Sequence, residues 1–190
     1  MTVLIGTVKA FGYAEVEQAV TLSVQPSVAI EKTISVESGT INAVTGAHSG
    51  LSASFSIQTN GTDDDYDFIV GSRINTIDGE VNGYGPNGCL IFANTASLPT
   101  TTAVANLKAG NKDNPNVIAY PITMEITDPM SVNFGTHATY GECYLVKVNT
   151  GTEGILTQTV GQSPVVNTYA LGQDESGTYK STVFFTAVSK

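Results

Sequence analysis

The sequence contains few charged residues, and basic residues are the scarcest of them. Only 13% of its 190 residues are Asp, Glu, Lys or Arg, about half of the usual proportion in globular proteins. The 17 acidic residues outnumber the 8 basic ones, which gives a formal net charge of −9. A phosphate backbone and an anionic lipid surface both repel such a chain, so the composition argues against binding to nucleic acids or membrane surfaces.

Familiar motifs of catalytic, metal and membrane sites are also missing. The chain has no CxxC pair, no GxSxG or HExxH sequence, no phosphate-binding glycine loop and no apolar run long enough to span a bilayer. Its two histidines, His48 and His137, lie in glycine-rich turns. Either could act as a base, and Cys143 is a conceivable nucleophile beside His137. We nevertheless expect ordinary loop histidines, no zinc site and no enzymatic activity.

The chain is rich in apolar residues that alternate with Ser, Thr and Asn. Hydrophobic residues make up 41% of it. Leu51, Ala53, Phe55 and Ile57 alternate with polar residues, which is the pattern of a half-buried strand. Similar short segments recur between turn signals, and only residues 102–108 resemble a helix. We therefore predict an all-β fold, an immunoglobulin-like β-sandwich, with a β-barrel as the alternative that the pattern leaves open.

The alternation and the turn signals place the individual strands. The predicted strands are residues 20–24, 28–30, 34–36, 51–57, 66–70, 73–77, 89–93, 118–126, 143–148, 165–171 and 180–188. Pro121 lies within one of them, and because proline cannot donate a ladder hydrogen bond, it indicates an edge strand or a bulge.

The pattern divides the chain into three parts. Residues 1–14 hold an apolar run that Lys9 interrupts, so they fit either a truncated signal peptide or a first strand. Residues 15–30 form an alternating extension with little charge, and residues 31–190 form the sandwich domain. The apolar residues of the extension would suit a row of pockets along a sheet edge: Val20, Leu22, Val24, Val28 and Ile30. The alternative is the first strand of a closed sandwich.

The two cysteines each open an apolar run. Neighbouring strands could bring Cys89 and Cys143 together, and in an exported protein we predict a disulfide between them. The bond would close a loop of about 54 residues and contribute roughly 4 kcal/mol to stability. The alternative is a pair of buried free thiols that pack as small hydrophobic residues.

Two loops suggest a second hypothesis, a monomeric secreted β-sandwich that binds a glycan or calcium. Asp63, Asp65 and Asp67 follow an Asn-Gly turn, and clustered carboxylates suit Ca²⁺. Their spacing lacks the glycine and the distal glutamate of an EF-hand, so a solvated acidic turn is the alternative, and no other cofactor is expected. Tyr84 and Tyr140 lie beside glycines and could stack on a sugar ring.

Both ends of the domain resemble chaperone–usher pilins, in particular the major subunits of colonisation fimbriae. Val24-Gln25-Pro26 is similar to the Val-x-Pro step that ends the N-terminal strand of those subunits. Gly177-Thr178-Tyr179, followed by alternating apolar residues, resembles the Gly-x-Tyr and closing strand of such subunits and of spore-coat-U-type secreted domains.

The resemblance implies a sandwich that lacks one strand and is completed by the N-terminal extension of a neighbouring subunit. The donor strand would use Val20, Leu22, Val24, Val28 and Ile30, and the closing strand would use Tyr179, Val183, Phe185 and Ala187. The implied function is a structural subunit of an extracellular bacterial pilus or fibre that supports adhesion. Its implied partners are further copies of itself, a periplasmic chaperone and usher, and a host glycan or protein receptor. Its implied route to the cell surface is the periplasm.

Overall fold

The computed structural model describes residues 22–33, 35–40, 42, 49–127, 129–165 and 174–190. These residues contain twelve β-strands and one α-helix. The elements are β1 (Val28–Lys32), β2 (Leu51–Thr59), β3 (Tyr66–Thr76), β4 (Gly79–Asn82), β5 (Leu90–Asn94), α1 (Thr101–Lys108), β6 (Val117–Tyr120), β7 (Ile122–Ile126), β8 (Ser131–His137), β9 (Gly141–Lys147), β10 (Thr152–Val160), β11 (Tyr179–Lys180) and β12 (Thr182–Ser189). The predicted all-β fold is confirmed.

The strands form three antiparallel sheets in two layers. The first sheet has the order β1-β2-β10-β7, and the second has the order β12-β3-β9-β8 with β4 paired to β3. A third, smaller sheet has the order β11-β5-β6. A single apolar core includes residues of all three sheets, with the first sheet on one side and the other two opposite it. The chain is therefore a β-sandwich, as the alternation predicts.

The main core consists of the inward-facing side chains of both layers. They are Phe55, Ile57, Leu156 and Val160 from the first sheet, and Phe68, Val70, Leu90, Phe92, Tyr144, Val146 and Phe185 from the other two. Along β12, Phe185 is buried and Val183 and Ala187 pack beside it, while Tyr179 joins from β11. The four residues of the predicted closing strand thus face the same core, because side chains two apart share a face of a sheet.

A second core lies between the small sheet and α1. Cys89, Ile91 and Ala93 point away from the main core and contact Val104 and Leu107 of the helix. The segment from Cys89 to Ala93 is apolar throughout because both of its faces are covered. The predicted helix is confirmed, and Thr100 caps its N-terminus by accepting a hydrogen bond from the backbone N–H of Ala103 at 3.1 Å. Within the described residues, no helix has the length and apolar character to cross a membrane.

Glycine and proline explain two differences from the predicted strands. The predicted strands 66–70 and 73–77 are one strand, β3, because Gly71 does not end it. A Cβ atom at Gly71 would collide with the ring of Phe184 on β12, so glycine serves there to admit a neighbouring aromatic ring. The predicted strand 118–126 is two strands in different layers, since β6 pairs with β5 and β7 pairs with β10. Pro121 lies at the point where the chain changes layer.

Other differences come from segments with weak alternation. β8 and β10 are strands that the sequence pattern did not predict. Residues 22–24 and 35–36 are not strands, and residues 20, 21, 34 and 166–171 of the predicted strands lie outside the described residues.

A buried hydrogen bond links two polar side chains inside the main core. Tyr84 and Gln158 are 0% and 1% exposed, and the Tyr84 hydroxyl donates to Oε1 of Gln158 at 2.5 Å. Burial raises the pKa of Tyr84 well above its usual value, so the phenol stays protonated and acts as a donor. Since water cannot replace either partner, each group depends on the other.

Replacing Tyr84 with Phe should destabilise the protein by about 1–3 kcal/mol, because the Gln158 amide oxygen would lose its donor in a dry core. Urea unfolding followed by circular dichroism measures the change. Tyr140→Phe, at a half-buried tyrosine, is the matched control and should change stability by less than about 0.5 kcal/mol. Equal effects of the two substitutions would show that the buried bond contributes nothing.

Candidate functional site

The segment before β1 is an exposed apolar arm, residues 22–27. Leu22 and Val24 are 87% and 75% exposed, and residues 18–27 carry no charged side chain. Exposed large aliphatic side chains spaced two apart are unusual unless a partner covers them. Val20, the first residue of the predicted donor strand, lies outside the described residues.

Hydrogen bonds hold the base of the arm against the turn between β2 and β3. The backbone N–H of Ser27 donates to Oδ1 of Asn60 at 2.6 Å, and Nδ2 of Asn60 donates to the carbonyl oxygen of Gln25 at 3.2 Å. The Tyr66 hydroxyl donates to the carbonyl oxygen of Pro26 at 3.1 Å. These bonds fix where the arm leaves the sandwich.

The structure revises the predicted end of the extension. Val28 and Ile30 belong to β1, which pairs with β2 of the same chain, with Ile30 opposite Ile57. Both side chains pack against the main core. Within the described residues, the extension therefore ends at Ser27. Two of the five predicted donor residues, Leu22 and Val24, lie in the described arm and are exposed. Alternation alone did not separate the two parts because it continues across Pro26.

The edges of the two layers come together at β1 and β12. In the described part of the chain, each is the last strand of its sheet, and the two strands approach each other. The start of β1 and the end of β12 meet near Asp65, where the backbone N–H of Lys190 donates to the Asp65 carbonyl oxygen at 3.0 Å. Their other ends, at Lys32 and Val183, line a common cavity. The strands therefore run side by side in opposite directions.

An apolar cleft opens between the layers where β1 and β12 diverge. It consists of two cavities of 360 and 390 Å³ that share Leu51, Phe92 and Val160 as lining residues. We call these two cavities the cleft. Ala53, Phe55, Leu90 and Val183 line the first cavity, and Ile118, Tyr120 and Tyr179 line the second. Side chains of the main core thus line the cleft at this side of the sandwich.

The charged residues that line the cleft are exposed. Lys32 and Glu37 form an ion pair at 2.5 Å, and Lys180 lines the same cavity. The rings of Phe185 and Phe55 make an edge-to-face contact, with centroids 6.0 Å apart and an angle of 73° between the ring planes. An apolar cleft beside β1 and β12, which in the described residues are the last strands of their sheets, suits an extended apolar segment. Such a segment gains ladder hydrogen bonds and burial together.

The three aspartates of the predicted calcium site have separate partners. Oδ1 of Asp63 accepts from the backbone N–H of Val148 at 3.0 Å, and Oδ2 of Asp65 accepts from the backbone N–H of Thr62 at 2.8 Å. Asp67 faces His137 and Lys190 at 3.4 and 3.2 Å. No group of three His, Cys, Asp or Glu side chains in the described residues is arranged to hold a metal ion. The carboxylates organise the turn instead.

The sugar-stacking role proposed for the tyrosine loops does not fit the structure. Tyr84 is fully buried, so its ring cannot contact a sugar. Tyr140 is half-buried and packs against His137 and Phe184, with centroids 5.4 and 5.8 Å away. These contacts leave neither tyrosine as a flat exposed platform.

The histidine and cysteine pairings considered from the sequence are not formed. Nδ1 of His137 accepts from the backbone N–H of Thr139 at 3.2 Å, while Nε2 faces Asp67. The thiol of Cys143 lies against the backbone of His137 rather than its ring. His48 is outside the described residues.

The predicted disulfide is absent, since Cys89 and Cys143 are both free and buried. Cys89 precedes β5 and its thiol packs against Gly85 and the second core, whereas Cys143 lies on β9 in another sheet. Each cysteine opens an apolar run in the sequence, but the two runs do not lie side by side in the fold. Burial raises the pKa of both thiols, which makes them poor nucleophiles at neutral pH.

No protein-family model matches the sequence, and no curated protein matches it either. What the chain does must therefore be inferred from its own arm and cleft.

The two thiols of the folded protein should react with Ellman's reagent roughly 100-fold more slowly than the thiols of the unfolded chain. Because both pKa values are raised, the native rate should increase with pH through the range above 8. In denaturant without reductant, the reagent should detect 2 thiols per chain, and Cys89→Ser and Cys143→Ser should each remove one. Detection of no thiol in the unreduced chain would establish a disulfide.

Proposed function

We propose that this chain is a structural subunit of an extracellular bacterial pilus or fibre and that it polymerises by donating its N-terminal arm. The observation that carries the proposal is the presence, in one molecule, of an exposed apolar arm and an apolar cleft beside β1 and β12, each the last strand of its sheet within the described residues. The resemblance of the arm and the closing strand to chaperone–usher pilins supports the same function.

The positions of the arm and the cleft favour head-to-tail assembly. The arm leaves the sandwich beside Asn60 and Tyr66, at the end where β1 begins and β12 finishes. The cleft opens at the opposite end of these strands, beside Lys32 and Val183. A contact between two different surfaces of identical molecules generates a ring or an open filament. An arm docked in the next molecule's cleft would extend such a chain of subunits.

The chemistry of the two surfaces is complementary. Leu22 and Val24 offer two aliphatic side chains on one face of an extended segment, and each would gain about 1.5–3 kcal/mol from full burial. The uncharged stretch from Gln18 to Ser27 would bring no charge into the apolar cleft, where an unpaired charge is costly. The outer edge of β12 would supply backbone donors and acceptors for the docked strand.

Within this proposal, export through the periplasm, a chaperone that occupies the cleft before assembly, an usher and adhesion to a host glycan or protein are parts of the same function. They follow from the pilin resemblance.

Leu22→Asp and Val24→Asp should each abolish polymer formation, because a carboxylate would have to enter the apolar cleft. We expect affinity to fall by at least about 100-fold. Ser23→Asp is the matched control, since Ser23 lies between these residues and in a docked strand its side chain would point to the other face. Size-exclusion chromatography with light scattering and electron microscopy of fibres measure the outcome. Normal fibres from Leu22→Asp would refute arm donation.

Val183→Glu should block the cleft while leaving the arm intact, and Thr186→Glu, at a half-buried residue on the other face of β12 that lines neither cavity, should not. Subunits with Leu22→Asp keep a working cleft, and subunits with Val183→Glu keep a working arm. Each variant alone should stay monomeric, whereas an equimolar mixture should form heterodimers that grow no further. A mixture that stays monomeric although both variants are folded by circular dichroism would contradict donation from arm to cleft.

A further inference from the structure

One ion pair of the sandwich is buried, and it joins two segments far apart in sequence. Nζ of Lys112 and Oδ1 of Asp174 are 2.5 Å apart, and their side chains are 2% and 9% exposed. Lys112 lies in the loop between α1 and β6, and Asp174 lies shortly before β11. The other ion pairs of the described residues are all more exposed. Burial of a charged pair carries a large desolvation penalty.

The segments that carry Lys112 and Asp174 are held together independently of the pair. The Tyr179 hydroxyl lies 2.5 Å from the carbonyl oxygen of Pro115 and 2.8 Å from that of Glu175. The backbone N–H of Glu175 donates to the same Pro115 oxygen at 3.3 Å. The amine and the carboxyl group are therefore kept in contact by a fixed frame, which gives two reacting groups a high effective concentration.

We propose that Lys112 and Asp174 condense to form an isopeptide bond between Nζ and Cγ. Transfer of one proton from the ammonium to the carboxylate produces a neutral amine and a carboxylic acid without changing the number of protons in the pair. The Nζ lone pair attacks Cγ, the Cγ–OH bond breaks, and a proton from the amine joins the departing hydroxyl. The products are one amide and one water molecule, and no oxidant, reductant or other reactant is needed.

Burial favours the neutral form of the Asp174 carboxyl group. Desolvation raises the pKa of Asp174, although the hydrogen bond and the charge of Lys112 act in the opposite direction. Tyr120 is also buried and lies close enough to Asp174 for their charges to interact. Desolvation, and to a smaller extent the charge of Asp174, raise the pKa of Tyr120 to about 12. A protonated phenol therefore remains near the reacting carboxyl group at neutral pH. An amide product would remove both charges from the dry site.

The chain contains an internal comparison at the same distance. Lys32 and Glu37 also lie 2.5 Å apart, but their side chains are 64% and 60% exposed. Solvent water stabilises charged groups in general, and an ammonium ion has no lone pair with which to attack. Contact without burial is therefore not sufficient for condensation, and we expect the Lys32–Glu37 pair to remain ionic.

Mass spectrometry of peptides from the purified full chain tests the proposal. After digestion at sites outside the pair, the segments containing Lys112 and Asp174 should appear as one branched peptide whose mass is lower than their sum by one water molecule. Lys112→Ala should abolish the branched peptide, and Lys32→Ala should leave it unchanged. Recovery of both segments only as separate, unmodified peptides from the folded parent protein would overturn the proposal, whether or not Lys112→Ala folds.

The result is independent of the proposed function. A cross-link can form in a monomer, and loss of polymer in the arm variants does not alter the Lys112–Asp174 pair. Intact mass of Leu22→Asp subunits should therefore show the same loss of one water molecule, relative to their own sequence, as the parent chain does.

Discussion

The structure depends on burial of the alternating apolar faces of its two layers against each other. Ile57 and Leu156 of the first sheet and Phe68 and Val70 of the second are nearly or completely inaccessible to water. With 13% charged residues, the chain has few ion pairs to compensate for a poorly filled interior, so the layers themselves must supply most of the stability. Along the β1–β12 edge the same apolar interior continues into the cleft. The buried core and the proposed docking cleft thus share one continuous apolar surface.

The interior is not purely apolar, and its polar groups are matched locally. Gln158 occupies an inward-facing position of β10 and pairs with Tyr84, while Tyr144 donates to the carbonyl oxygen of Gly88 at 2.9 Å. Gly88 has φ of +75°, and a side chain there would collide with the Tyr144 hydroxyl. These bonds add directional constraints to a core that burial alone would leave less specific.

Sequence reasoning was most reliable where one face of a strand is exposed. Alternation identified β2 and the inward residues of β12, because burial on one side leaves a period of two. It missed β10, where Gln158 stands at a core position, and it joined β6 to β7, because a change of layer at Pro121 leaves the apolar pattern unbroken. The arm was visible as a pattern, but its boundary at Ser27 was not, since that boundary depends on pairing with Asn60 and β2. The cleft needed tertiary structure, because Leu51, Phe92 and Val160 come from three different strands.

The width of the cleft is set by bonds at both ends of the C-terminal segment. At the start of β11, the Tyr179 hydroxyl is bound to the carbonyl oxygens of Pro115 and Glu175. After β12, the backbone of Lys190 is bound to Asp65 and its side chain to the Asp63 carbonyl oxygen. β12 itself pairs with β3 along its whole length. The edge of β12 is therefore already ordered before a strand docks on it. The main entropic cost of docking would be the conformational freedom that the incoming strand loses. A covalent Lys112–Asp174 link would make the first of these anchors permanent.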